Sequence, residues 1–246
     1  MTTRIALHAD TSLDLRTDAL APKLLHRGSA SARLALVGAR ALLLAGDHVD
    51  LEIEVAAGCA LELVEVTGTV AYDGRGGPPS TWTTRVRLHE GAQLTWNAEP
   101  FVVADGARVE RSLEVDLAPG STAVLRETFV LGRTGEQGGA LRSRTRARLG
   151  GAPLLVEDLD LREQTARNSP AVLGTHRCLD TVSLLGARFQ HPGALQLDGA
   201  ATVVRELLGD TTRGALDALW ASVREAQPGR PAAVVPDDSP TTVATS

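Results

Sequence analysis

The chain has 246 residues, of which 43% are hydrophobic and 3% aromatic, and its formal net charge is −5 at pH 7. This length and apolar content suffice for one large domain with a buried core. The negative charge and the scarcity of aromatic stacking faces argue against nucleic acid as a partner. Two distant cysteines and the absence of any 18-residue apolar run predict a soluble, cytoplasmic protein with reduced thiols and no membrane contact.

The first two thirds of the chain read as strands separated by turns. Residues 1–45 suggest short strands, and residues 49–72 alternate apolar and polar side chains, as half-buried strands do. The composition of residues 73–80 and 132–139, rich in glycine, predicts loops. Further strands are predicted at 81–89, 92–103, 108–117, 121–131, 140–149 and 153–162.

A glycine turn recurs after these alternating segments. Gly58, Gly91, Gly120 and Gly151 follow one another at spacings of 33, 29 and 31 residues (58 to 91 to 120 to 151). Spacings of this size are typical of stacked supersecondary units. The sequence therefore predicts an all-β, β-helical or solenoid-like stack of strands.

The pattern changes near the C-terminus. Residues 163–200 are mixed and give no clear prediction, whereas residues 211–226, after a possible cap at Asp210, place apolar side chains at helical spacing. We interpret residues 1–226 as a single β-domain with this small helical element. The proline-containing tail at 227–246 is expected to be disordered.

Catalytic and metal-binding motifs are missing from the sequence. No GxSxG, GxxxxGK[ST], HExxH or CxxC occurs, and the groupings Asp47-His48 and His176-Arg177-Cys178 have too few ligands for a closed metal site. These absences favour a protein that is not an enzyme and that has no stably bound cofactor, and an active site assembled from distant loops is the alternative that stays open.

Acidic residues on apolar strands are the more informative feature. Glu62, Glu65, Glu127 and Glu157 all lie in such strands, and Glu127 shares the face that also carries Phe129. A carboxylate on a buried face must be paired, hydrated or functional. Two interpretations remain open, a salt bridge to a neighbouring arginine and an internal hydrated passage or partner surface.

One strand carries the opposite charge. Arg142, Arg144, Arg146 and Arg148 alternate along it, about 6 to 7 Å apart on a single face. Such a row is either a solvated face answered by surface acids or a docking site for an acidic protein.

Six phrases, in order between about residues 25 and 226, resemble the UreD (UreH) family of urease accessory proteins. They are Ala45-Gly46-Asp47, Thr67 to Tyr72, Leu94 to Glu99, Asp105-Gly106-Ala107, Leu131 to Glu136 and Pro153 to Glu157. The chain departs from the family at Val70 and Asp73, where a lysine and an arginine usually flank the tyrosine, and it lacks the PRIW-like ending. It therefore resembles a divergent, actinobacterial-type member.

This resemblance implies a β-helical fold and a non-catalytic role in urease maturation. Proteins of this family bind the urease apoprotein together with UreF and the GTPase UreG, and the assembly delivers nickel, which the accessory protein holds only transiently. The alternatives are a β-solenoid carbohydrate-active enzyme and an unrelated protein-interaction module, although three Trp and one Tyr would make a poor sugar groove.

Two sets of residues carry the functional hypothesis. Polar side chains inside the family-like phrases are expected to line a hydrated nickel path, and replacing Glu127 or Glu157 is expected to leave folding nearly intact. The path residues are Asp47, Thr69, Glu99, Glu127 and Glu157. A partner is expected to contact the arginine row and the C-terminal helix through Arg142, Arg144, Arg146, Leu216 and Trp220.

Overall fold

The computed structural model describes residues 2–209, 212 and 214–225. Within this part of the chain, strands dominate and two short helices occur. The strands are β1 (Thr3–Leu7), β2 (Leu13–Arg16), β3 (Leu20–Arg27), β4 (Ser31–Gly38), β5 (His48–Val55), β6 (Ala60–Glu65), β7 (Thr69–Ala71), β8 (Ser80–Leu88), β9 (Gln93–Asn97), β10 (Phe101–Val103), β11 (Arg108–Leu117), β12 (Thr122–Leu131), β13 (Ala140–Leu149), β14 (Ala152–Asp160), β15 (Cys178–Leu185), β16 (Ala194–Gln196) and β17 (Ala201–Leu208). The helices are α1 (Gln164–Arg167) and α2 (Leu216–Glu225).

The strands form two facing sheets. Sheet A has the order β14-β13-β11-β8-β5-β1-β2, and sheet B has the order β16-β17-β15-β12-β9-β6-β4-β3, with β7 and β10 as short additional strands. Successive turns of the chain add parallel strands to each sheet in turn, so that β5, β8, β11 and β13 stack in register in sheet A. This confirms the predicted all-β, solenoid-like architecture.

The glycine turns hold consecutive coils together. Gly58 and Gly91 adopt φ values of 69° and 64°, a left-handed conformation that a side chain disfavours. The Gly58 N–H donates to the Glu90 carbonyl (2.9 Å), and the Gly91 N–H donates to the Pro119 carbonyl (3.3 Å). Each turn therefore rests on the next, which explains why the spacing in the sequence is nearly constant.

The core lies between the sheets and follows the two-residue alternation. In β5, for example, Leu51 and Ile53 point inward and are almost fully buried, while Glu52 and Glu54 lie on the outer side. Burying each such aliphatic side chain contributes roughly 1.5–3 kcal/mol. The apolar half of the alternation thus determines which face of each strand packs inward.

The outer face of sheet A carries charges of alternating sign from strand to strand. In one row across the sheet, Arg4, Glu52, Arg85, Glu114 and Arg146 are register partners. Opposite charges directly across a strand pair stabilise a sheet weakly, whereas like charges destabilise it. The arginine row of β13 is therefore one column of a mixed-charge surface, which we call the outer charge ladder.

Helix α2 covers part of the outer face of sheet B. Its buried residues Leu216, Trp220 and Val223 join a small apolar cluster with residues of β12, β15 and β17. Asp217 at its start pairs with Arg126 (2.7 Å), and Arg224 near its end pairs with Glu62. The helix is thus fastened by charge at both ends.

The structure corrects several predicted boundaries. The segments 49–72 and 92–103 are each broken into separate strands, and the unassigned region 163–200 contains α1, β15 and β16. The helix expected at 211–226 begins at Leu216, where the Leu216 N–H donates to the Glu206 carboxylate (3.4 Å) from β17. Asp210 and the tail at 227–246 lie outside the described residues.

Candidate functional site

Sheet B is interrupted at one level in two neighbouring strands. Strand β6 ends before β7 begins, and β9 ends before β10 begins, whereas β12 beside them runs without a break. Pro100 lies in this interruption and has no N–H to donate. Gly68 lies so close to it that a Cβ at residue 68 would come within 2.8 Å of the Pro100 carbonyl oxygen. Residues 66–68 and 98–100 therefore form a gap in the ladder, which we call the sheet B break.

Glu65 lies at the inner side of the sheet B break. Its carboxylate accepts hydrogen bonds from Trp96 Nε1 (3.2 Å) and from the Glu99 N–H (3.1 Å). Burial raises the pKa of Glu65 to about 7, although both hydrogen bonds and the attraction of Arg111 oppose this rise. Glu65 and Thr69 also line a cavity of about 240 Å³ that opens to solvent.

Glu99 lies in the sheet B break, in the segment that follows β9. It lines a second cavity of about 340 Å³ together with Arg126, Thr128 and Asp217, next to the first turn of α2. Its backbone N–H meanwhile holds Glu65 on the inner side. The sheet B break therefore has a carboxylate on each side.

Arg111 is the only arginine of β11 on the inward-facing side, between Val109 and Leu113. Its Nη2 lies 2.5 Å from Glu127 Oε1 of the opposite sheet, and its side chain is only 6% exposed. The guanidinium carbon lies 5.1 Å from the centre of the Phe129 ring and 5.9 Å from that of Phe101. Such contacts with aromatic rings favour the charged guanidinium.

Two of the Arg111 nitrogens, Nε and Nη1, are buried without a hydrogen-bond partner. A buried donor without an acceptor is costly, so ordered water or another acceptor is the expected companion. The space between the sheets at this level is thus polar, in contrast to the apolar core on either side of it.

A row of inward-facing polar residues continues from Glu127 to the side of the molecule. In sheet B, Glu127 is the register partner of Thr181, which is the register partner of Arg205. Arg205 Nη2 then lies 2.6 Å from Glu157 Oε2 of sheet A. Two ion pairs therefore bridge the sheets, one buried at Arg111 and one partly exposed at Glu157. We call this set the inter-sheet row: Arg111, Glu127, Thr181, Arg205 and Glu157.

The structure brings together most of the predicted path residues. Thr69, Glu99 and Glu127 surround the sheet B break, and Glu157 lies at the other end of the inter-sheet row. Asp47 is elsewhere, because its carboxylate accepts the Leu44 N–H (3.0 Å) and closes the turn before β5. That these residues line a path remains a prediction.

Most of the predicted partner-contact residues are already engaged within the chain. Arg142 pairs with Asp158 (2.7 Å), and Arg144 lies 3.6 Å from the same carboxylate. Arg146 is exposed and faces Glu114 in the register. The side chains of Leu216 and Trp220 are buried under α2. The interpretation of the arginine row as a face answered by surface acids thus agrees with the observed pairs, and contact with a partner stays a prediction.

The described residues offer no closed metal cage. In the ranges 2–209 and 214–225 and at residue 212, no three His, Cys, Asp or Glu side chains are grouped to hold an ion. Cys59 and Cys178 are buried, and their sulfur atoms donate to the carbonyls of His8 and Gly209. In the same part of the chain, no helix has the length and apolarity needed to span a bilayer.

The path predicted from the sequence leaves out three residues of the site, although the sequence analysis names Glu65 as a carboxylate on an apolar strand. Glu65, Arg111 and Arg205 were not among the predicted path residues, although a signal existed for the first two. Counting by twos along β6 and β11 places Glu65 after Leu63, and Arg111 between Val109 and Leu113, on the apolar face. The position of Arg205 opposite Glu157 depends on how the two sheets meet, and no pattern within either strand indicates it.

Comparison with known proteins identifies the family. Residues 20–236 match the family described as UreD urease accessory protein. Urease accessory protein UreD 1 of Streptomyces griseus subsp. griseus is 48% identical, with 81% of this chain and 78% of that protein covered. Urease accessory protein UreD of Streptomyces avermitilis is 34% identical, with 76% and 77% covered. These matches confirm the resemblance seen in the sequence, and the chain belongs to the UreD family of urease accessory proteins.

Proposed function

We propose that this protein is a non-catalytic, cytoplasmic factor for urease maturation. In this proposal it acts with UreF and UreG, and the space between its sheets conducts nickel toward the urease apoprotein. Family membership supports the role in maturation. The observation that carries the path is the inter-sheet row, which places polar and charged side chains where a sandwich normally buries apolar ones.

The chemistry of this row suits a passing ion better than a resident one. Single carboxylates such as Glu99, Glu127 and Glu157 bind a divalent cation weakly, because most of its coordination sphere stays with water. A tetrahedral set of thiolates or imidazoles would hold the ion too firmly to release it. Nickel is the cargo in this scheme, and the protein keeps none of it.

The structure, with its rigid strands and the inter-sheet row between them, also fits this proposal better than it fits a carbohydrate-active enzyme. The three tryptophans Trp82, Trp96 and Trp220 are at most 8% exposed, so none of them offers a flat face to a sugar. The family match also favours the proposal over the remaining alternative, an interaction module unrelated to urease.

The path is tested with variants that remove its carboxylates without leaving a buried charge. Removing Glu127 alone would leave Arg111 without its counter-charge, so the expectation that Glu127 is dispensable for folding does not hold for the single change. The pair change Arg111→Met with Glu127→Leu avoids this problem, and Glu157→Gln affects only a partly exposed pair. Each variant, and their combination, is co-expressed with the urease apoprotein and the other accessory proteins, and the nickel content of purified urease is measured.

We expect the combined variant to assemble with its partners but to lower urease nickel content severalfold. Asp116→Asn on the outer charge ladder is the matched control, because it also removes one carboxylate paired with an arginine. Normal nickel content with the combined variant would contradict the path. Loss in the Asp116→Asn control would show that any charge change disturbs the assay.

We further propose that α2 contributes to the surface that contacts UreF. The buried side chains of Leu216 and Trp220 would hold the helix in place, and the exposed positions Ala218 and Ala221 would face the partner. Ala221→Arg is expected to abolish co-purification with UreF while leaving the thermal unfolding midpoint unchanged. Unchanged co-purification would remove α2 from the interface, and Arg146→Gln tests the arginine row in the same assay.

A further inference from the structure

Strand β3 leaves two adjacent leucines open to solvent at the edge of sheet B. It is the last strand of that sheet among the described residues, so one side of its backbone has no strand beside it there. Leu24 and Leu25 are 45% and 49% exposed, and a bulge lies between Leu24 and His26 in the pairing with β4. Single exposed apolar side chains are common, but an adjacent pair on an open edge favours association with another segment.

Basic residues flank the two leucines. Lys23 and Arg27 are exposed, His26 is half-buried, and within the part of the chain that the structure describes neither Lys23 nor Arg27 forms an ion pair. We call Lys23, Leu24, Leu25, His26 and Arg27 the edge leucine patch. Because the whole protein carries a formal charge of −5, this basic and apolar patch differs from its average surface. A segment that combines apolar and acidic residues would complement it.

Helix α2 ends close to this patch. Near its last residue, Glu225, the Arg224 Nε donates to Glu62 Oε1 of β6 (2.9 Å). Glu62 is the register partner of Arg33 on β4, and Arg33 is the register partner of His26 on β3. Two strand spacings, about 10 Å, therefore separate the strand under the end of α2 from the patch. The chain leaves the helix at the level of the sheet where the leucines are exposed.

The sequence that follows α2 has the complementary chemistry. Residues 232–238 read Ala-Ala-Val-Val-Pro-Asp-Asp, so two valines precede two aspartates. An extended chain from residue 226 to Val234 spans up to about 30 Å, which is more than the strand spacings require. The match to the UreD family runs to residue 236 and so includes both valines. Reach, apolar content and charge thus all favour this segment as the occupant of the patch.

We propose that residues 232–238 of this chain dock on its own edge leucine patch. The two valines cover the two leucines, and Asp237 and Asp238 meet the basic side chains that flank them. Covering an edge in this way prevents it from pairing with a strand of another molecule. The docking goes beyond the proposed role in urease maturation and does not depend on it.

Thiol–disulfide exchange in the full-length protein tests this docking. The variant Leu25→Cys with Val235→Cys is equilibrated in glutathione buffers, and the fraction of internal disulfide gives the effective concentration of one thiol at the other. The matched control is Val66→Cys with Val235→Cys. Val66 is also an exposed apolar residue (58%), and it lies four residues after Glu62, about 13 Å along the chain. A tail that is only tethered would reach both positions.

We expect the effective concentration for the Leu25 pair to exceed that of the control pair by on the order of tenfold, since flexible tethering alone gives similar millimolar values for both. Adding Val234→Asp should reduce it to the control value, because a charge replaces one of the apolar contacts. Asp237→Lys with Asp238→Lys should lower it severalfold. Equal values for the two pairs would overturn the proposal, and disulfides between two molecules would overturn it by assigning the patch to a second copy.

Discussion

The outer charge ladder of sheet A and the inter-sheet row use the same residue types on opposite sides of the same strands. Strand β11 shows both, because Glu110, Glu114 and Asp116 lie on the outer side and Arg111 points inward. On the outer side, each charged residue has several charged neighbours, and water screens the interactions between them. On the inner side, the side chains of the Arg111–Glu127 pair are only 6% and 20% exposed, so water screens their attraction less. The two regions teach that burial, more than pairing, decides how much a charge matters.

Glu127→Ala should give the largest effect. The change leaves Arg111 buried without its counter-charge, which costs about 3–5 kcal/mol of unfolding free energy. The pair change Arg111→Met with Glu127→Leu removes both charges and should be close to neutral. Chemical denaturation of both variants measures the difference, and equal losses would show that lost packing, not the orphaned charge, destabilises the protein.

The next largest effect concerns pH. Because the folded protein holds the Glu65 pKa near 7, against 4.5 for an ordinary glutamate, the folded state retains this proton to a higher pH than the unfolded state. The contribution of Glu65 to stability is therefore greatest at acid pH and declines as pH rises from about 4.5 to 7. The decline is at most about 3 kcal/mol, since one pKa unit corresponds to about 1.4 kcal/mol.

Glu65→Gln should flatten this part of the stability profile. Denaturant unfolding of both proteins at several pH values between 4.5 and 7 gives the comparison. If Glu65→Gln loses as much unfolding free energy over this pH range as the parent protein, other titrating groups cause the decline.

A smaller effect is expected at the partly exposed end of the inter-sheet row. Glu157 and Arg205 have side chains 27% and 37% exposed, so solvent screens their attraction. Glu157→Gln should cost about 0.2–1 kcal/mol in unfolding free energy, and high salt should reduce that loss. A loss as large as that of Glu127→Ala would contradict the ordering by burial.

The smallest effect is expected on the outer charge ladder. Arg146→Gln removes an exposed arginine that faces Glu114 in the register, and neighbouring arginines remain. We expect no measurable change in the thermal unfolding midpoint. A clear loss would mean that the ladder acts as a connected network rather than as independent surface charges.

The architecture was predictable because it repeats. Gly58, Gly91 and Gly120 mark equivalent turns, and the alternation along β5 and β11 assigns inner and outer faces without reference to other strands. Such local signals survive in a single sequence. The alternation along β12 likewise predicted that Glu127 lies on the inward-facing side of its strand.

The parts of the fold and of the site that the sequence did not predict depend on contacts between segments that are far apart in the sequence. The sheet B break arises from the close approach of Gly68 to Pro100, and the start of α2 is set by Glu206 of another element. Likewise, alternation could place Glu127 on the inner face but could not identify Arg111 as its partner across the sheets. Contacts of this kind follow from how coils pack on one another.

The attachment of α2 has a consequence for how the molecule is made. A stack of coils can grow by adding each new coil to the last, yet Glu62 of an early coil acquires Arg224 from a point 162 residues later. During translation, Glu62 can already pair with Arg33 of β4 (3.5 Å), but it gains Arg224 only after nearly the whole described chain has left the ribosome. Nascent chains that stop short of α2 lack the Arg224 contact to Glu62, and we expect them to be more open to proteolysis at their N-terminal coils.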